Sequence, residues 1–153
     1  MSPNIFNIFL NDLPGILRKH DCHPVNLGRM KLNLLMYADD IILVSRSKAG
    51  LQNALNVCYE YFEKWELEVN ITKTKVMIFN TNRDVCQFKY RENVLEIVSK
   101  YKYLGLVMCR YGSFKLAASE LLVKAKKAYG ALYQQLNVYN GAKPSILLKL
   151  LIK

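Results

Sequence analysis

The apolar positions at the start of the chain follow a helical pattern. Over residues 2–13 they fall on one face of a helix, with Ser2 as the predicted cap and Pro3 at the first helical position. The Pro-Gly pair at 14–15 predicts the end of this helix, and the polar stretch that follows, to about residue 29, is predicted to be a loop. A short helix and a long loop are therefore expected before the first strand.

Two short apolar runs meet at an acidic dipeptide. Residues 31–36 and 41–44 are rich in apolar side chains and too short for helices, so they predict a pair of strands. Asp39 and Asp40 lie between the runs, which places two carboxylates at the bend of a tight, buried hairpin. Because burying an unpaired charge is expensive, we expect a cation or another partner at this position.

Amphipathic patterns predict helices on either side of a strand-rich segment. Residues 48–65 carry apolar side chains at three- and four-residue spacing, and so does the chain after Ser113. Pro144 predicts the start of a last helix. In the helix after Ser113 the apolar stripe comprises Phe114, Ala117, Leu121, Ala125, Ala128, Leu132 and Leu136, and Lys124, Lys126 and Lys127 lie mostly off it.

Short strands are expected between these helices. The clearest cover residues 75–79 and 101–108, and weaker candidates cover 85–90 and 94–98. No repeat, low-complexity linker or change of composition divides the chain. The order of elements predicts an α+β fold in which helices pack on one face of an antiparallel sheet.

Composition favours a folded domain with a polyanionic partner. The 153 residues are 52% hydrophobic, which is enough for a core, and 22 lysines and arginines outnumber 12 acids to give a formal charge of +10. A positive excess of this size favours nucleic acid as the partner and a membrane surface as the second choice. An ordinary basic protein has the same charge balance, so charge alone leaves that alternative open.

The cysteines and the apolar residues near the C-terminus argue against two other classes of protein. The cysteines at 22, 58, 86 and 109 lie far apart, without the paired spacing of a zinc knuckle and without a signal peptide ahead of them. An intracellular location, in the cytoplasm or the nucleus, is therefore expected. The apolar run 146–152 is shorter than the ~20 residues that cross a bilayer, so no membrane span is expected.

The acidic dipeptide has a chemical and a structural interpretation. Successive side chains of a strand point to opposite faces, so neighbouring aspartates can approach one cation only where the backbone turns, as at Asp39 and Asp40. Mg²⁺ suits such a site because it retains several waters and takes one or two carboxylates together with substrate phosphates. The structural alternative is that aspartate is common in turns, where its side chain accepts hydrogen bonds from nearby backbone amides.

Five segments, in order along the chain, resemble parts of one known family of enzymes. Tyr37-Ala38-Asp39-Asp40 matches the Tyr-Ala-Asp-Asp box in the polymerase palm of the reverse transcriptases of non-LTR (LINE-type) retrotransposons, and the segment SPNIFNIFLNDLP is similar to the helix that precedes this box. The later similarities are the segment with Trp65, Leu67, Asn70 and Lys73-Thr74-Lys75, the primer-grip hairpin at Lys102-Tyr103-Leu104-Gly105, and the lysine-rich helix after Ser113, where the thumb begins.

The resemblance implies a polymerase palm over residues 1–112 and the start of a helical thumb over 113–153. It implies an RNA-directed DNA polymerase, which uses an RNA template and two Mg²⁺ ions, or Mn²⁺ in their place, to add dNTPs to the 3′-hydroxyl of a DNA primer. The implied metal ligands are Asp39 and Asp40, with Lys73 near the departing pyrophosphate. The implied contacts to substrate or primer are Ser2, Phe6, Tyr37, Lys75, Tyr103, Leu104 and Gly105, and those to nucleic-acid phosphates are Lys124, Lys126 and Lys127.

The chain also departs from the family pattern. No residue ahead of the box matches the metal-binding aspartate that the family has on an earlier palm strand, and the Gln-Gly pair and the fingers have no match either. Glu66 stands where the family usually has glycine. We therefore predict that the chain is inactive as a polymerase by itself and needs an upstream segment of the same polyprotein. Two alternatives stay open: a non-catalytic nucleic-acid-binding remnant of a retroelement, and a small α+β protein that binds no nucleic acid.

Overall fold

A computed structural model describes residues 3–79 and 86–138, with side chains described over 5–79 and 86–134. The chain forms two compact units, which are divided between Val98 and Ser99. Each unit combines helices with short strands, which confirms the α+β class. Ser2 and the helix predicted from Pro144 lie outside the described residues.

Two short helices replace the predicted single helix and part of the predicted loop. α1 covers Pro3–Phe9 and α2 covers Leu13–Lys19. The prediction of a loop is wrong here because proline fits within the first turn of a helix, where its missing N–H has no intrahelical partner to lose. Pro14 occupies that place in α2. α2 buries Leu13 and Leu17 completely.

A hairpin that the sequence pattern did not predict precedes the acidic one. β1 (Val25–Leu27) pairs antiparallel with β2 (Met30–Leu32). Gly28 lies between them with a φ of 59°, a conformation that glycine adopts without steric strain. The strand predicted over 31–36 is divided, because the buried Asn33 separates β2 from the next strand.

The predicted acidic hairpin and the helix after it are confirmed. β3 (Leu34–Tyr37) pairs antiparallel with β4 (Asp40–Leu43), and α3 spans Lys48–Lys64. Ser47 caps α3, since its hydroxyl accepts a hydrogen bond of 3.0 Å from the N–H of Gly50. The strands of this hairpin also contact helices, β3 contacting α1 and β4 contacting α3.

The core of the first unit includes α2, α3 and one face of the β3–β4 hairpin. α3 buries a continuous face because its apolar side chains recur every three or four residues. The hydroxyl of Tyr61 on this face donates a hydrogen bond to the carboxylate of Asp12, which precedes α2. The buried residues of this core are Leu10, Leu13, Leu17, Cys22, Ala54, Val57, Cys58, Tyr61 and Phe62.

Cys58 makes the stability of this core depend on pH. Its surface is 2% exposed, and burial raises the pKa of its thiol from 9.0 to about 12. The folded chain therefore keeps a proton that the unfolded chain releases, so the free energy of unfolding should fall as pH rises above about 9, by at most about 1.4 kcal/mol per pH unit. Urea unfolding at several pH values between about 8 and 10 measures this slope. Cys58→Ala should flatten it, and equal slopes in the two proteins would contradict the assignment.

The remaining strands of the first unit are shorter than predicted. β5 (Lys75–Val76) pairs in parallel with β8 (Glu96–Ile97), and β6 (Lys89–Tyr90) pairs antiparallel with β7 (Asn93–Val94). Val76 of β5 and Tyr90 of β6 join a second apolar cluster, whose buried residues are Leu55, Val76, Phe88, Tyr90 and Leu95.

The second unit begins with a hairpin, where the apolar pattern predicts one strand and the family resemblance implies a hairpin. β9 (Lys100–Tyr103) and β10 (Leu106–Cys109) pair antiparallel. Leu104 and Gly105 connect them with φ values of 46° and 83°. Positive φ at both residues is typical of a type I′ turn, which explains why an apparently continuous run over 101–108 reverses direction.

One long helix follows this hairpin. α4 spans Lys115–Val138, which confirms the helix predicted after Ser113. It packs against β10, and Ala117 is buried, whereas most other side chains up to residue 134 are exposed. Among the described residues, no helix combines the length and the apolar character needed to cross a membrane.

The described strands form five separate pairs in place of the single antiparallel sheet that was predicted. Four pairs are antiparallel and the β5–β8 pair is parallel. A pattern of apolar residues identifies a strand but not its partner, because register and pairing also depend on residues elsewhere in the chain. The class of the fold was therefore predictable, and the sheet was not.

Candidate active site

The acidic dipeptide lies at the tip of the β3–β4 hairpin. Tyr37 and Asp40 are the last paired residues, so Ala38 and Asp39 form a two-residue turn. Of these two, only Ala38 has a positive φ, at 53°. A positive φ at the first turn position is the type II′ pattern, in which glycine is usual. Alanine is strained in such a conformation, at a cost of about 1–3 kcal/mol.

The hairpin presents two different faces. Side chains alternate along a strand, and residues paired across strands share a face. Asp40 pairs with Tyr37, so these two side chains lie on the same face, and Tyr37 is 57% exposed. The other face packs against the core of the first unit through Leu34, Met36, Ile41 and Leu43.

Both carboxylates of the dipeptide are exposed to solvent. The expectation of a buried bend is wrong because the hairpin buries only one face and its tip lies outside the core. Over residues 3–79 and 86–138, no hydrogen bond or ion pair engages the side chain of Asp39 or Asp40. Among these residues, the carboxylates are therefore not used to cap nearby amides. Both remain available to a ligand.

The turn supplies some of the oxygen ligands that a hard divalent cation needs. Mg²⁺ prefers oxygen ligands and is often held by one or two carboxylates, with waters and phosphates in the remaining positions. Asp39 and Asp40 supply two such carboxylates. Within the part of the chain that the structure describes, no three His, Cys, Asp or Glu side chains form a group that could hold a metal ion. A complete metal site on this hairpin therefore needs ligands from a substrate, from water or from another segment.

Comparison with known proteins places this hairpin in a family. The family model described as reverse transcriptase (RNA-dependent DNA polymerase) matches residues 1–108. The chain belongs to the reverse transcriptase family. No solved structure matches the chain significantly.

Two relatives come from one mobile element. The RNA-directed DNA polymerase from mobile element jockey of Drosophila funebris is 26% identical over 122 residues, which cover 75% of this chain and 13% of the relative. Its counterpart in Drosophila melanogaster is 24% identical over 137 residues, which cover 84% of this chain and 14% of the relative. These matches confirm the resemblance to the reverse transcriptases of non-LTR retrotransposons, of which this chain spans a small part.

The backbone explains one departure from the reverse transcriptase pattern. Glu66, at the position where glycine is usual, follows the C-cap Trp65 of α3 and has a φ of 55°. Helices often end in such a left-handed residue, and glycine is favoured there because it has no Cβ. Glutamate thus makes the turn that glycine would make, at a cost of about 1 kcal/mol. The substitution does not abolish the turn after α3.

The two lysines predicted near the substrate have different surroundings. The Nζ atom of Lys75 lies 2.6 Å from Oε2 of Glu96, which its parallel strand pairing brings alongside. An ammonium held in this way is less available to a phosphate. Lys73 lies in a turn organised by Asn70, whose side-chain oxygen accepts a hydrogen bond of 3.1 Å from the N–H of Lys73. Asparagine favours turns because its side chain bonds to nearby backbone groups, and this was the signal in the sequence that could have located the turn before Lys73.

The remaining predicted contacts lie apart from the acidic turn along the chain. Phe6 is partly buried and packs against the core of the first unit, which limits its exposure to a primer. Tyr103, Leu104 and Gly105 lie at the end of β9 and in the turn of the second unit. The structure therefore brings Tyr37, Asp39 and Asp40 together on one hairpin, and the roles of all the predicted site residues stay predictions. Lys124, Lys126 and Lys127 are exposed on α4.

Proposed function

We propose that this chain is the part of an RNA-directed DNA polymerase that holds the catalytic metal ions and begins the thumb. The observation that carries the proposal is the tight turn with two exposed, unpaired carboxylates inside the segment that matches the reverse transcriptase family. Asp39 and Asp40 would hold Mg²⁺, or Mn²⁺ in its place. The ion would neutralise substrate phosphates and lower the pKa of the primer hydroxyl.

The neighbouring residues have roles that follow from their positions. Tyr37 lies on the same face of the hairpin as Asp40, and its exposed ring offers a flat surface to the primer end or the nascent base pair. Lys73 would place a positive charge near the departing pyrophosphate. Lys75 would act there only if its ion pair with Glu96 opens.

The proposed partners are an RNA template, a DNA primer, dNTPs and an upstream segment of the same polyprotein. That segment would supply the fingers and a further aspartate, since the described residues group only two carboxylates at this turn. We assign residues 1–112 to the palm and 113–153 to the start of the thumb. The compact units divide earlier, between Val98 and Ser99, so the β9–β10 hairpin belongs with α4 structurally. An intracellular location remains a prediction.

The chain by itself should not extend a primer. Two-metal catalysis needs both ions to be held by the protein, and the described residues group no third metal ligand with the two adjacent carboxylates, which leaves that site incomplete. Primer extension with the purified chain, a primed RNA, dNTPs and Mg²⁺ or Mn²⁺ measures this directly. We expect no incorporation above background. Robust template-directed incorporation would show that the chain holds a complete active site.

A second candidate function is nucleic-acid binding without catalysis. The incomplete set of carboxylates favours it, because a basic chain with a net charge of +10 binds polyanions whether or not a metal is held. The reading frame upstream of Met1 distinguishes the two candidates. A strand with an aspartate followed by a Gln-Gly pair supports the polymerase, whereas a frame crowded with stop codons supports the remnant.

A further inference from the structure

The exposed side of α4 carries a stripe of aromatic and basic residues that the proposed catalytic role does not use. Successive residues of a helix are turned by about 100° around its axis. On this basis the residues of the stripe fall within an arc of about 60°, and each lies about 120–180° around the axis from Ala117, which is buried. It therefore points away from the buried side of the helix. The stripe comprises Lys115, Leu122, Lys126, Tyr129 and Tyr133.

The two tyrosines of the stripe form a stacked pair. Their ring centroids are 6.1 Å apart and the rings are inclined by only 22°. Tyr129 is 69% exposed and Tyr133 is 55% exposed, so the pair is open to solvent. The apolar stripe identified in the sequence lies on another face and omits both residues. Tyr129 and Tyr133 are four residues apart, a spacing that puts two rings on one side of a helix, and this pattern in the sequence predicts the pair.

Charge selects the class of partner for this surface. The described part of α4 carries four lysines and a single acid, Glu120, which lies outside the stripe. A second copy of the chain would bring like charges together, which is unfavourable. A polyanion with flat, stackable groups matches both the lysines and the rings, and single-stranded nucleic acid is the polymer that has phosphates and exposed bases.

We infer that the stripe binds single-stranded nucleic acid, with bases stacked on Tyr129 and Tyr133 and phosphates near Lys115 and Lys126. The identity of the ligand as nucleic acid rests on the proposed function. Binding here needs neither the hairpin carboxylates nor a metal ion. A strand whose bases are unpaired is required, because bases within a duplex are already stacked on each other.

Fluorescence anisotropy with a labelled short oligouridylate measures this binding in the full chain. The double variant Tyr129→Ala/Tyr133→Ala should weaken it by about tenfold or more, since stacking on one ring contributes about 1–3 kcal/mol. Tyr129→Phe/Tyr133→Phe keeps both rings and should retain the affinity. Tyr111→Ala removes another exposed tyrosine of the second unit and should also change little. Circular dichroism checks that each variant retains its helix content.

A base-free oligonucleotide with the same sugar-phosphate backbone separates stacking from general attraction. This base-free strand should bind the unchanged chain more weakly than oligouridylate does. The double alanine variant should bind the base-free strand as tightly as the unchanged chain does. The inference is overturned if the alanine variant binds oligouridylate as tightly as the unchanged chain, or if it loses equal affinity for the base-free strand. Preferential binding to anionic vesicles or self-association through these tyrosines would also overturn it. The assay contains neither a divalent metal ion nor dNTPs, so it measures binding alone and can be interpreted even if the proposed catalytic role fails.

Discussion

Asp39→Asn is expected to lower nucleotide incorporation by at least about a hundredfold in a polymerase that carries this hairpin, because metal-ion stabilisation of the transferring phosphoryl group is worth several kcal/mol. The system is a graft: residues 33–45 of this chain replace the matching segment of the jockey polymerase of Drosophila funebris, a relative of this chain. The exposed turn has no partner among the described residues that would need to rearrange. Asparagine keeps the size of the side chain and removes its negative charge.

The graft needs controls that separate chemistry from folding. Affinity for a primed RNA should be the same with Asp39 and with asparagine, since the template contacts are supplied by the host polymerase. Asp40→Asn should impair incorporation less, because Asp39 is the proposed principal ligand. Incorporation within about threefold of the unsubstituted graft after Asp39→Asn would remove this residue from the catalytic role.

Gly50→Ala is expected to lower the free energy of unfolding of the first unit by about 1–3 kcal/mol, the usual range for overpacking a tight site. A Cβ atom at Gly50 would lie 2.7 Å from the carbonyl oxygen of Cys22 and 2.7 Å from Cβ of His23. The oxygen belongs to the backbone, so relief requires the chain around Cys22 to shift. His23 is held by a hydrogen bond between its Nδ1 atom and the Ser47 hydroxyl and already has a φ of 43°, which restricts that shift.

Gly130→Ala is the matched control. Gly130 is also a helical glycine, but a Cβ there would meet nothing within 4 Å. Alanine should therefore stabilise α4 by about 0.5–1 kcal/mol through its better helix propensity. Urea unfolding followed by the fluorescence of Trp65, the only tryptophan, reports on the first unit, and circular dichroism reports on both. Equal stabilisation by both substitutions would show that the segment at 22–23 does not pack against α3.

The sequence predicted the helices and strands correctly where the local pattern of apolar residues is strong. The periodicity of residues 48–65 and the short apolar runs around the acidic dipeptide determined α3 and the β3–β4 hairpin, because each buries one face against a common core. The same approach failed at α2, where a Pro-Gly pair looks like an interruption but proline occupies the first turn of a helix. It failed again at β1 and β2, because each strand has only three residues and its alternation of apolar and polar side chains is too short to predict a strand.

The sequence predicted which residues form the candidate site, but it predicted less of their exposure and their contacts. The motif located Asp39 and Asp40 at a bend, but it could not give their exposure, which depends on which face of the hairpin meets the core. The ion pair between Lys75 and Glu96 depends on a parallel pairing of residues 21 positions apart, which no local pattern encodes. Left-handed residues at Ala38 and Glu66 were also missed, because both positions usually call for glycine in a sequence-based prediction.

Manganese titration of the isotopically labelled chain tests most directly whether the acidic hairpin holds a divalent cation. Mn²⁺ broadens the amide resonances of residues close to it. We predict selective broadening of the residues from Tyr37 to Ile41 at Mn²⁺ concentrations of the order of 10⁻⁴–10⁻³ M, as suits a weak site with few protein ligands, and its loss in the Asp39→Asn/Asp40→Asn variant. Broadening centred on other acidic residues, or unchanged broadening at the hairpin in that variant, would contradict a metal site at this turn.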